Sequence, residues 1–122
     1  MSVPTSDPAQ IDIEPGQLAA WIEREPQGVQ LIDVRESYER EAGHIAGSRH
    51  IPMNALPEQA ASIERERPVV FYCRVGARST MAAQAFRAAG YTALSMSGGL
   101  LRWASESRPL HPTDGHVADH KT

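Results

Sequence analysis

One cysteine occurs in the 122 residues, Cys73, and Arg74, Val75, Gly76, Ala77, Arg78 and Ser79 follow it directly. Ahead of it lies the most strand-like run in the chain, Val69, Val70, Phe71 and Tyr72, and after it a helix is predicted to begin at Ser79. A glycine-containing turn between a strand and a helix points successive backbone N–H groups inward, and the helix adds its positive end at the same place. With Arg74 and Arg78 beside it, the segment reads as an anion site built around a thiol. Thiolate, not thiol, is the nucleophile.

Thiolate supply is the smaller part of what such a loop offers. For thiols in general, lowering the pKa by about two units from ~8.5 raises the thiolate fraction at pH 7 about 25-fold. A Brønsted slope of ~0.45 then removes about 8-fold in nucleophilicity, so the net gain is only about 3-fold. The larger benefit is a set of preorganised donors that holds a bound anion and a charged sulfur intermediate. A lone cysteine after an apolar strand is, taken alone, more often a buried hydrophobe than a nucleophile. The glycine and the two arginines reverse that reading here.

The rest of the sequence bounds the setting. With 41% hydrophobic and 22% charged residues the chain falls in the ordinary range for one globular domain. One cysteine cannot form an internal disulfide, a CxxC redox pair or a multi-cysteine zinc site. The formal charge of −3 supplies no field for gathering phosphate backbones, so nucleic acid is not an expected partner. The longest apolar runs are five residues, Leu18 to Ile22 and Val69 to Cys73, against the ~20 that a spanning helix needs. No membrane partner is therefore expected. The opening MSVPTSDPAQ has no basic patch followed by an apolar segment, and a cytoplasmic location is expected.

The loop must be carried by alternating strands and helices. Ile11 and Ile13 mark a short strand, Pro15 suits a first helical turn, and Leu18, Trp21 and Ile22 follow at helical spacing. Val29 to Val34 reads as a buried strand that delivers Asp33 near its carboxyl end. Arg49 to Ile51 is a further strand, and Leu56, Ala60 and Ile63 mark a short helix that Pro68 closes off. After the loop, Ser79 is placed to cap a helix whose face carries Met81, Ala82, Ala85, Phe86 and Ala89, with Gly90 ending it. Thr92 to Met96 is the last strand, and Gly98 and Gly99 turn into a final helix with Leu100, Trp103 and Ala104. Such alternation predicts an α/β domain with a mostly parallel sheet covered on both faces. The expected division is an N-terminal arm at 1–9, a domain at 10–107 and a flexible, mobile or loosely docked C-terminal tail at 108–122.

Four strings, LIDVRE (31–36), GHIAGSRHIP (43–52), VVFYCRVGARS (69–79) and GGLLRW (98–103), stand in the order and spacing of one family. Over about residues 10–107 the chain resembles a single-domain rhodanese, of the thiosulfate and persulfide sulfurtransferases, and the loop is close to the C-R-x-G-x-R-S pattern of thiosulfate users. The resemblance implies a rhodanese-like fold with a five-stranded mostly parallel sheet. It also implies that Cys73 accepts a sulfane sulfur as a persulfide and passes it to a thiol or cyanide acceptor, with no cofactor. By the same resemblance, the amides of Arg74, Val75, Gly76, Ala77, Arg78 and Ser79 wrap the sulfur and Arg74 and Arg78 favour an anionic donor. Ser79 offers its hydroxyl, and Asp33 and Arg35 support from the pocket rim by holding loops. A small-molecule sulfur donor and a thiol or cyanide acceptor are the expected partners, and a persulfide-carrying or thioredoxin-like protein is a further candidate. Mercaptopyruvate ranks last among donors, since its users generally carry a different loop composition.

Rival readings remain at this point. A non-catalytic or regulatory module of the same shape would dock a partner or sense sulfur, since fold does not fix function. Phosphatase chemistry is disfavoured because four residues separate Cys73 from Arg78, one fewer than the related tyrosine phosphatases use to surround a phosphate. Arsenate reduction is disfavoured because it draws on additional cysteines. His44 reads as a structural histidine rather than a general base, and Asp33 as a strand-end residue that fixes turns as much as a participant. His116 and His120 have the H-x-x-x-H spacing but lack a glutamate after the first histidine and follow Pro112 and Gly115, so no metal site is expected.

Overall fold

The computed structural model describes residues 10–120, and the arm expected at 1–9 lies outside the described residues. The elements run β1 (Asp12–Ile13), α1 (Pro15–Arg24), β2 (Gln30–Asp33), α2 (Ser37–Ala42), β3 (Arg49–His50), α3 (Leu56–Gln59, between two 3-10 turns), β4 (Val69–Tyr72), α4 (Ala77–Ala88), β5 (Ala93–Met96) and α5 (Gly99–Ser105). The strands form one sheet in the order β1-β5-β4-β2-β3, and every pairing is parallel.

All four residues of β4 are buried because helices cover both faces of the sheet. Successive side chains go to opposite sides. Val69 and Phe71 join Ile32, Leu56, Ala82 and Phe86 on the α3 and α4 side. Val70 and Tyr72 join Leu18, Trp21, Leu100 and Trp103 on the α1 and α5 side. Phe86 seats between Phe71 and Tyr91, with ring centroids 4.9 and 4.8 Å away, a tilted and edge-on packing that the ring quadrupoles favour.

Two elements differ from the sequence reading. α2 carries no apolar repeat and was not predicted; its one buried residue is Glu39, and Glu36 closes a capping box with Glu39 at its start. α4 begins two residues earlier than expected, with Gly76 at its N-cap in the left-handed region (φ +110°), so Ser79 sits inside the helix rather than capping it. Met81 is 61% exposed instead of facing the core.

The chain runs from β1 through β2 to β3 in one direction across the sheet, then returns past β2 to β4 and β5. The strand order thus reverses between β2 and β4. In open α/β sheets this reversal leaves a crevice outside the carboxyl ends of the two strands, where ligands bind. Asp33 ends β2 and Tyr72, next to Cys73, ends β4.

Candidate functional site

A buried polar network starts at the carboxyl end of β2. Asp33 Oδ1 accepts hydrogen bonds from the backbone N–H (3.0 Å) and Nε (2.9 Å) of Arg35, and Oδ2 accepts from Arg35 Nη2 at 2.8 Å and Arg40 Nη1 at 3.3 Å. Arg35 also donates to the Gly43 carbonyl, and Arg40 to the Ser48 carbonyl. Asp33 and Arg35 are both fully buried. Their full burial means that they do not form an exposed rim, a correction to the expected position, and their hydrogen bonds tie residues 33–50 into one unit. Tyr72 completes the network: its hydroxyl accepts from the Ile45 N–H and meets Ser48 Oγ at 2.9 Å. Burial, together with the charge of Asp33, pushes the Tyr72 phenol up to about 12, so it stays neutral. His44 bonds the Arg40 carbonyl through Nδ1, a structural contact.

On this base stands the Cys73 loop. Cys73 is 1% exposed. Its Sγ accepts the backbone N–H of Gly76 at 3.1 Å and of Ser79 at 3.4 Å, with Ser79 Oγ at 3.5 Å. These amides point at sulfur because Gly76 takes a positive φ, which turns the backbone back on itself before the first turn of α4. Ser79 Oγ lies 2.8 Å from Ser95 Oγ, and Thr80 Oγ1 donates to the same Ser95 oxygen at 3.2 Å. Ser95, buried on β5, was absent from the sequence reading because one serine in an apolar strand carries no distinguishing pattern. Val75 projects from the loop half exposed.

The start of α5 braces the other side of the loop. Leu100 N–H donates to the Cys73 carbonyl at 2.8 Å and Leu101 N–H to the Arg74 carbonyl at 3.0 Å. Gly99 permits this approach: its φ is +62°, and a Cβ there would stand 2.4 Å from the Arg74 carbonyl oxygen and 2.7 Å from that of Cys73. Gly99→Ala should therefore lower stability by about 2 kcal/mol or more, from left-handed strain and backbone clash together. A urea denaturation midpoint measures it, and a midpoint equal to wild type would refute the bracing role.

The two loop arginines have different partners. Arg78 forms a paired contact with Glu39 of α2, Nη1 to Oε1 at 2.8 Å and Nη2 to Oε2 at 3.0 Å, and the Glu39 side chain is fully buried. Burial alone would push the Glu39 carboxyl up. Hydrogen bonds from Arg78 and from the Glu36 backbone N–H, the Arg78 charge and a contact with His120 outweigh it and hold the carboxyl at about 2. Arg74 instead donates from Nε to the Ala118 carbonyl at 3.2 Å, and its Nη2 lies 3.3 Å from Asp119 Oδ1. Beside Arg78 opens a cleft of about 380 Å³ whose lining includes Val34, Glu36, Met53, Arg78 and His120, and neither Cys73 nor Arg74 is part of that lining. Glu39 escaped the sequence reading because α2 did, although the Glu36 and Glu39 spacing of its capping box was available as a signal.

The segment after α5, expected to be mobile or loosely docked, returns over this site through backbone hydrogen bonds between His111 and His44 and from the His116 N–H to the Ala42 carbonyl. Among its histidines, His120 lies near Glu36 and Glu39, and His111 packs on His44. Glu39 is already engaged by Arg78, whose positive charge at 2.8 Å opposes a metal ion at that carboxylate.

The model of the rhodanese-like domain matches residues 14–106. The chain belongs to this family. Among relatives of the rhodanese-like domain, a sulfurtransferase of Allochromatium vinosum is 34% identical over 73% of this chain and 84% of its own. The thiosulfate sulfurtransferase GlpE of Pseudomonas aeruginosa is 33% identical over 71% of this chain and 76% of its own. The match to YqhL of Bacillus subtilis, 42% identical, spans 63% of this chain and 62% of that protein. A rhodanese-related protein from Thermoplasma volcanium superposes with a TM-score of 0.72 at 27% identity, covering 81% of this chain and 95% of its own. No helix among the described residues is long and apolar enough to cross a membrane.

Proposed function

We propose that this rhodanese-like domain is a sulfurtransferase that carries sulfane sulfur on Cys73, taking it from thiosulfate or a persulfide and delivering it to a thiol or cyanide. The observation that supports this reading most is the pair of N–H groups of Gly76 and Ser79 directed at Sγ, at the point where the strand order reverses. In the first half reaction the Cys73 thiolate attacks the outer sulfur of thiosulfate. The bond between the two thiosulfate sulfurs breaks, and sulfite leaves with its electron pair. The negative terminal sulfur of the persulfide then rests among the same preorganised donors. In the second half reaction an acceptor thiolate or cyanide attacks that terminal sulfur, and the Cys73 thiolate leaves. Ser79 and the amides of 74–79 are the binding groups, and Asp33 and Arg35 act through the segment they hold.

The loop arginines take unequal parts. Arg78 is matched by the buried Glu39 and acts by fixing the loop, whereas Arg74 is paired only with the exposed Asp119 and the Ala118 carbonyl and is the guanidinium an anionic donor would have to win. The names of the relatives from Allochromatium vinosum and Pseudomonas aeruginosa agree with the reading. A docking or sulfur-sensing module is the rival; this chain is also similar to an HTH-type transcriptional regulator of Mycobacterium tuberculosis, at 38% identity over 71% of this chain and 39% of that protein. Steady-state turnover with thiosulfate, glutathione persulfide and mercaptopyruvate side by side separates the two. The expected order puts mercaptopyruvate last, and the absence of turnover with all three would favour the module.

A further inference from the structure

We propose that residues 118–120 form a strap that competes with anionic donors for Arg74 and thereby sets how much the charge of a donor counts. The proposal rests on the sulfurtransferase reading and deepens it at the same site. Both loop guanidiniums already face protein acceptors, Arg78 the carboxylate of Glu39 and Arg74 that of Asp119 together with the Ala118 carbonyl. The two pairs are not equally displaceable. Glu39 is fully buried and held by two hydrogen bonds from Arg78, and breaking a buried pair leaves an uncompensated charge. Asp119 is 94% exposed and touches Arg74 at 3.3 Å, the kind of surface pair that contributes little and yields readily to salt or to a better anion.

The strap is also placed to screen the approach. His120 lines the cleft beside Arg78 and Glu36, with its Nδ1 3.4 Å from Glu39 Oε1. An incoming dianion must move Asp119 away from Arg74, whereas a donor of little charge gains nothing by doing so. The sequence contribution is local: residues 116–119 read HVAD, and the His116 N–H anchored on Ala42 brings Ala118 and Asp119 over the loop.

The test compares wild type, Asp119→Asn and a chain ending at Val117, using alkylation of Cys73 by iodoacetate and by iodoacetamide at low ionic strength. The ratio of the iodoacetate to the iodoacetamide rate should rise about two- to fivefold in both variants, the range that an exposed ion pair carries. The KM for thiosulfate should fall by a similar factor with kcat unchanged. High salt should shrink both differences. An unchanged ratio in both variants overturns the proposal, and so does an equal rise in both rates, which marks the segment as steric cover only. If thiosulfate is not turned over at all while the ratio still shifts, the strap stands and the sulfurtransferase reading falls.

Discussion

Cys73→Ser should reduce thiocyanate formation from thiosulfate and cyanide by at least about three orders of magnitude, the scale on which removal of a nucleophile acts. The loss is large because no other group in the site can replace the thiol. The chain has no second cysteine, and Ser79 Oγ is already engaged with the Gly76 carbonyl and Ser95. Serine is close in volume and can accept the same Gly76 and Ser79 N–H groups, so the fold should persist and a far-ultraviolet spectrum should match wild type. Comparable rates in the two proteins would remove Cys73 from the chemistry.

Glu39→Gln is the second large effect, and it acts on stability before activity. The substitution leaves the Arg78 guanidinium, still partly buried, without its carboxylate. The loss should be about 3 kcal/mol, which is also what lowering a carboxyl from an ordinary 4.5 to about 2 on folding corresponds to. The sign follows from linkage. The folded state binds the proton more weakly than the unfolded one, so the Glu39 contribution is complete above about pH 4.5 and disappears as pH falls toward 2. Urea midpoints of wild type and variant should therefore differ most near neutrality and converge in acid. A gap that stays constant from neutrality to pH 2 would mean that the ionised carboxylate is not what Arg78 uses. Thiosulfate turnover should fall as well, since α4 loses the contact that fixes its first turn against α2.

These effects also mark how far the sequence was readable. The strands β2, β4 and β5 and the helices α1 and α5 announce themselves because hydrophobic burial imposes periodicity: Leu18 and Trp21 on one face, continuous apolar runs where both faces of the sheet are covered. The Cys73 loop was readable for a different reason, since a cysteine, a glycine and two arginines between a strand and a helix have few structural uses in combination. α2 hid because it contributes Glu39 rather than an apolar side chain to the interior, and a buried glutamate cannot be distinguished from a surface one without its partner, Arg78, which is 39 residues away. The placement of Arg35 failed in the same way. The resemblance implies a rim position, and only the backbone and side-chain donors converging on Asp33 show that Arg35 is part of an internal tie. The contacts of residues 111–120 use mainly backbone groups and single polar side chains, which leave no pattern in composition.

The central claim is that sulfur is held covalently on Cys73, and intact-mass measurement tests it most directly. Incubation of the reduced protein with thiosulfate, followed by removal of excess donor, should give a mass increase of one sulfur atom, located on the peptide that contains Cys73. Cyanide should remove that sulfur as one equivalent of thiocyanate, and Cys73→Ser should gain none. A wild-type protein that takes up no sulfur from thiosulfate or from glutathione persulfide, or a serine variant that takes up as much, would contradict the account.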